Sequence, residues 1–202
     1  GTTIFNGTSD LLIAGYDDDT TRPTNPFDGN VADVRIYSDA LILSEIQTLY
    51  NSGSNPATNG GNTFAVHADN LVGHWKLNEA GLGRAYDFSG NMNHGVNKAV
   101  TSVAGTYAGT FNGSSSYIDA SGTPGPGTGS MTWTAWIKHP DVGTDNVYIY
   151  NDYEGDDNDR VEWRIQSGKC RMLLRDGGTS AYSDTTADID IIEKKPNGKK
   201  II

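Results

Sequence analysis

The feature that most constrains this chain is its punctuation: apolar residues come in short alternating runs, each closed by a turn-forming pair. Thr2-Thr3-Ile4-Phe5 stops at Asn6-Gly7, Thr110-Phe111 stops at Asn112-Gly113, and the run Cys170–Leu174 is followed by Asp176-Gly177. Pairs of this kind accept the left-handed backbone that tight turns demand, while alternation with period two buries one face of a strand. The chain has 25 glycines in 202 residues and only 36% hydrophobic residues, a composition that suits many turns and does not suit a helical bundle. The pattern predicts an all-β chain, and the length fits one large sandwich or two small domains.

Within residues 1–50, Leu11-Leu12-Ile13-Ala14 and Asn30–Tyr37 read as strands on either side of the acidic stretch Asp17-Asp18-Asp19. In the second strand Val34 and Ile36 face one way, and Asp33, Arg35 and Tyr37 the other. A helix is predicted near residues 44–51, with Ser44 as N-cap, Gln47 closing a capping box and Gly53 as its stop. Ile46, Leu49 and Tyr50 form its apolar face. Residues 51–69 are rich in Gly, Asn, Ser and Pro and read as a linker. Strands resume at residue 70 and continue to about 190: Leu71–Leu77, Thr110-Phe111, Tyr117–Ala120, Met131–Lys138, Val147–Tyr150, Val161–Ile165 and Cys170–Leu174. Phe5-Asn6-Gly7-Thr8-Ser9 is echoed by Phe111-Asn112-Gly113-Ser114-Ser115, too short a match to establish duplication.

A net charge of −10 argues against nucleic acid as a partner, because phosphate binding depends on Lys and Arg. It is compatible with a divalent cation or simply with a solvated surface. Cys170 is the only cysteine, so neither an intrachain disulfide nor a cysteine zinc site can form, and its strand position suits a packed core thiol. No stretch approaches a membrane span, and a chain opening at Gly1 in strand-like sequence suggests an excised piece of a longer protein.

Several motifs in combination resemble the laminin-G-like domains of the concanavalin A-like lectin and glucanase superfamily. They are Leu71-Val72-Gly73-His74-Trp75-Lys76-Leu77, then Asp87-Phe88-Ser89-Gly90-Asn91-Met92-Asn93-His94-Gly95, Phe111–Ile118 and Thr132-Trp133-Thr134-Ala135-Trp136-Ile137-Lys138. Phe27–Leu41 with the helix to Tyr50 resembles the closing strand and terminal helix of such a domain. The resemblance implies a two-sheet antiparallel jelly-roll sandwich. The end of one domain precedes the beginning of the next, as in a piece of a tandem array or a circular permutation. Half a sandwich exposes an apolar face and open strand edges. Residues 1–50 are therefore expected to complete the sandwich of residues 70–202, within one chain or by exchange between two.

Burial tendencies place Trp75, Trp133 and Trp136 in the core. Trp163, between Glu162 and Arg164, is the aromatic expected to form an exposed ligand platform, with Tyr148, Tyr150 and Tyr153 as weaker neighbours. Asp152 and Glu154, in the acidic stretch Asn151–Asp159, are candidate ligand contacts beside it. That stretch lacks EF-hand spacing and otherwise reads as a solvated loop. Asp87 is either the head of an Asx-turn or, as the resemblance implies, part of a structural calcium site with Asn91 and Asp33. His74 and His94 read as structural hydrogen-bonding groups, and His67 and His139 carry no signal. Asp188-Ile189-Asp190-Ile191-Ile192-Glu193 resembles a β-glucanase signature, but Asp188 is one methylene short of the required glutamate. No catalytic residue is assigned.

The expected function is a non-catalytic recognition module of a larger extracellular or surface protein, binding carbohydrate or a protein partner. The other readings are a spacer repeat in an adhesin and a remnant glycoside hydrolase.

Overall fold

The computed structural model describes residues 10–15, 25–52, 68–79, 83–102, 107–120, 122, 130–140, 147–153, 160–176 and 179–184. Among them are twelve strands and one α-helix. The strands are β1 (Asp10–Ile13), β2 (Asp28–Tyr37), β3 (Leu71–Trp75), β4 (Arg84–Ala85), β5 (Gly95–Lys98), β6 (Gly109–Asn112), β7 (Tyr117–Asp119), β8 (Thr132–Lys138), β9 (Val147–Tyr153), β10 (Arg160–Gln166), β11 (Lys169–Asp176) and β12 (Thr179–Asp184); the helix is α1 (Leu43–Ser52).

The strands form two antiparallel sheets. The larger runs β12-β11-β10-β9-β1-β7-β5-β4, and the smaller is β3-β2-β6 with β8 on β2. Both N-terminal strands are interior. β1 lies between β7 and β9, pairing Leu12 with Asp119 on one side and with Asn151 on the other. β2 carries β8 along one edge, and β3 and β6 share the other. This places strand material from the start of the chain at the centre of both sheets.

The main apolar core joins side chains from both sheets. Leu11, Ile13, Ile118, Ile149, Val161 and Trp163 come from the larger one, and Val31, Val34, Ile36, Trp75, Phe111 and Trp133 from the smaller. Trp133 stacks on Tyr150 across the core at 4.7 Å. Each fully buried aliphatic side chain here contributes roughly 1.5–3 kcal/mol before entropy is counted. Tyr37, on the opposite face of β2 from Val34 and Ile36, packs with Leu41, Leu49 and Leu71 into a second cluster beneath α1. Trp136 differs from Trp75 and Trp133: alternation along β8 turns it away from the core, and it stacks on Tyr50 of α1 at 6.0 Å.

The helix start differs from the Ser44 box. The Ile42 carbonyl accepts from the Glu45 and Ile46 amides, and the Glu45 carboxylate reaches back to the Ile42 N–H at 2.8 Å. Glu45 thus supplies one half of a capping box, and a carboxylate suits the positive helix N-terminus better than the neutral Gln47 amide. Of the expected apolar face only Leu49 is buried; Ile46 and Tyr50 stay exposed. The predicted linker is also shorter at both ends, because Asn51 and Ser52 finish α1 and Ala68–Asn70 form a 3-10 turn.

Candidate functional site

The segment between β4 and β5, residues 86–94, is built around Asp87. Its Oδ1 accepts the backbone N–H groups of His74 and Ser89, each at 2.8 Å. Its Oδ2 accepts the Ser89 hydroxyl at 2.7 Å and the Asn93 N–H at 2.9 Å. The Asx-turn is therefore extended into a tether to β3. Asn91 Nδ2 donates to the Leu71 and Val72 carbonyls, and Asn93 Nδ2 donates to Val72 as well. The indole of Trp75 donates to the Asn93 carbonyl at 2.9 Å, and His94 Nδ1 accepts the Asp87 N–H. Gly90, with φ of 97°, supplies the backbone geometry that closes the turn.

Beneath this loop lies a buried charged group. β2 bulges between Ala32 and Arg35 against β8, with Asp33 at φ 52°, a left-handed conformation that Asp tolerates better than most residues. The Asp33 carboxylate accepts Arg35 Nε and Nη2, each at 3.1 Å, and His74 Nε2–H at 2.7 Å. Burial alone would raise the Asp33 pKa; the His74 hydrogen bond and the Arg35 charge outweigh it and hold the carboxyl below its ordinary range. Through its backbone N–H and its ring, His74 links Asp87 to Asp33, so the loop and the bulge share one support.

While Asp87, Ser89, Asn91, Asn93 and His94 bond within the protein, the loop presents apolar side chains outward. Phe88 is 48% exposed and Met92 77% exposed, with Tyr86 exposed beside them. The Lys76 ammonium sits 4.3 Å above the Phe88 ring, and Tyr86 meets His94 edge-on at 5.5 Å. The structure thus assembles a rigid platform with two apolar tips and a cation.

The residues that the resemblance assigned to calcium do not form a donor set as placed. All four hydrogen bonds to the Asp87 carboxylate come from protein donors, Asp33 is paired with Arg35 and hydrogen-bonded to His74, and the Asn91 amide nitrogen faces two carbonyls. Calcium needs six to eight oxygens. Among the described residues no group of three or more His, Cys, Asp or Glu is arranged to hold a metal ion.

Trp163 is not an exposed platform. It is 5% exposed, sits in the main core, and its Nε1 donates to the sulfur of the buried Cys170 at 2.6 Å. Alternation along β10 points Val161, Trp163 and Ile165 inward, which leaves Glu162 and Arg164 on the other face. Tyr150 is also in the core. Asp152 and Tyr153 extend β9, where strand rather than loop backbone pairs them with Leu11 and Asp10 of β1 and with Val161 and Arg160 of β10. Their side chains, together with Glu154 and the rest of 154–159, lie outside the described residues, as do Asp17–Asp19, the Phe5 echo and the stretch 188–193.

Phe88, Met92, Tyr86 and Lys76 were not singled out by sequence. A usable signal existed: in Asp87-Phe88-Ser89 the flanking groups are turn formers, which leaves the middle side chain to point outward.

Fold and site together define an antiparallel, two-sheet β protein with a hydrogen-bonded loop that displays apolar side chains at one edge of the large sheet. Comparison of the chain with protein-family models, curated proteins and solved structures gave no match.

Proposed function

We propose that this chain is a non-catalytic recognition module of a larger extracellular or surface protein, with a laminin-G-like jelly-roll connection of its sheets. The binding surface is the platform of Tyr86, Phe88, Met92 and Lys76. One observation carries the reading: Asp87, Ser89, Asn91, Asn93 and His94 all make hydrogen bonds within the protein, yet Phe88 and Met92 remain in water. Fixing a loop with so many hydrogen bonds removes the ordering cost that binding would otherwise incur. Aromatic residues and methionine are enriched where proteins meet proteins, which favours a protein partner over carbohydrate at this surface.

The test is binding of the intact chain to arrayed extracellular proteins and glycans, alongside a Phe88→Ser/Met92→Ser variant. The reading expects a signal from the native chain that the variant loses while its melting curve is unchanged. Equal binding by both would remove the ligand from this loop. Silence from the native chain on both arrays would favour the spacer reading, in which these modules only separate their neighbours.

A further inference from the structure

Charge is unevenly spread along this acidic chain. Between Phe88 and Pro140 the only acidic residue is Asp119, in a sequence that carries 25 of them and a net charge of −10. That stretch includes β5, which with β4 forms one edge of the large sheet.

Register places Arg84 of β4 opposite Val96 of β5, and Val96 opposite Asp119 of β7. Directly paired residues project from the same face, as do residues two apart along a strand. Arg84, Val96 and Lys98 therefore share a face, and Tyr86 and His94, which meet edge-on at 5.5 Å, continue it into the loop. Ala85 points into the core, so this is the outer face. Val96 is 47% exposed and Tyr86 39%, and the fully exposed charges of the face, Arg84 and Lys98, are both positive. Asp119 is half-buried at its inner border. The neighbouring carboxylates are withdrawn from it. Asp87 is buried under four donors, and Glu79 is half-buried in a recess that Leu77, Val100 and Ile118 line together with Arg84.

We propose that this face, continuous with the Phe88 platform through Tyr86, receives an extended acidic peptide segment of a partner protein. The inference rests on the recognition reading above and names the chemistry of the partner. Arg84 and Lys98 are diagonal neighbours, about 7–8 Å apart at the backbone, and Tyr86 follows Arg84 at about 6.8 Å. An extended peptide repeats its same-face side chains at about that interval. Two carboxylates two residues apart thus meet Lys98 and Arg84, while an apolar side chain at the next alternate position rests on Tyr86 and Phe88. The Lys76 ammonium above the Phe88 ring adds a third cation at that end. An acidic partner is repelled by a chain of net charge −10 elsewhere, and this orients it onto the one edge that attracts it.

The probe is a library of nine-residue peptides with Asp or Glu at two alternate positions and a varied apolar residue at the alternate position before or after them. Members should bind the intact chain. The best should lose about tenfold in affinity in Arg84→Glu/Lys98→Glu, and lose affinity again as salt is raised. Both side chains are exposed, so the melting curve of that variant should match the native one. A silent library, binding indifferent to the charge reversal, or equal binding by a lysine counterpart of the library or by polyglutamate would each overturn the inference. A silent library beside a positive protein array removes the acidic partner and leaves recognition at the loop standing. Peptide binding lost in the charge-reversed variant but kept in Phe88→Ser/Met92→Ser supports this face and takes the loop out of the site.

Discussion

Arg35 carries its charge with 1% of its surface exposed, and Asp33 makes that tolerable by taking two of its N–H groups while holding His74. A buried ion pair adds little over a well-packed apolar pair, but removing one partner leaves the other charge stranded. Asp33→Asn should therefore cost about 3–5 kcal/mol in urea unfolding. The pH dependence has a definite sign. Because the folded-state pKa of Asp33 is depressed, its contribution is complete above the unfolded value of about 3.9 and is lost as pH falls through the lower folded value. Glu79 behaves oppositely: burial raises its pKa against the pull of nearby backbone N–H groups. Its ionised form costs stability at neutral pH, and the cost lifts as the carboxyl protonates. Glu79→Gln is accordingly expected to raise Tm at pH 7 and to show no gain near pH 3, where both states already bear the proton. A gain that persists at the lower pH would count against the assignment. At Asp87, where four donors fill the carboxylate, EDTA and calcium should leave Tm equally unmoved.

At the level of elements, two glycines fix how closely strands approach. A Cβ on Gly29 would run into the Lys138 carbonyl, and its φ of 130° suits only glycine; a Cβ on Gly73 would occupy the space of the Trp75 indole. Gly73→Ala should displace that ring from the core and lower stability by about 3 kcal/mol, measured by denaturant midpoint, whereas Gly83→Ala meets no atom and should cost only the left-handed backbone strain at φ 69°, about 1–2 kcal/mol. The same strands show what could be read in advance. Alternation located β2, β8, β10 and β11, because one buried face leaves a period-two record in the residues themselves. It did not reveal that β9 continues through Asn151-Asp152-Tyr153. Acidic density argued for a loop there, and only pairing with β1 and β10 on its two sides keeps that backbone extended. Trp163 departs from its sequence context for a related reason: charged neighbours on both sides suggest an exposed segment, yet in a strand they occupy the opposite face. The Asp87 turn was legible because its chemistry is local. The buried row of Leu12, Asn151, Glu162 and Leu173 was not, since it exists only once β1, from the start of the chain, is set beside β9, β10 and β11.

For the whole molecule, β1 and β2 belong to the interiors of both sheets. Proteolysis at a cleavage site engineered between residues 52 and 68 should leave two pieces that co-elute from a sizing column and separate only on denaturation; pieces that part under native conditions would contradict the pairing. Non-local pairing of this extent also predicts refolding in milliseconds to seconds rather than microseconds. The placement of β1 has a further consequence during synthesis. Leu12 leaves the ribosome first but meets Asn151 only about 140 residues later, an interval on the order of 10 s at 5–20 residues per second. Until β7 emerges both hydrogen-bonding edges of this apolar strand are open, and until β9 emerges one still is, so the nascent chain is a chaperone substrate throughout.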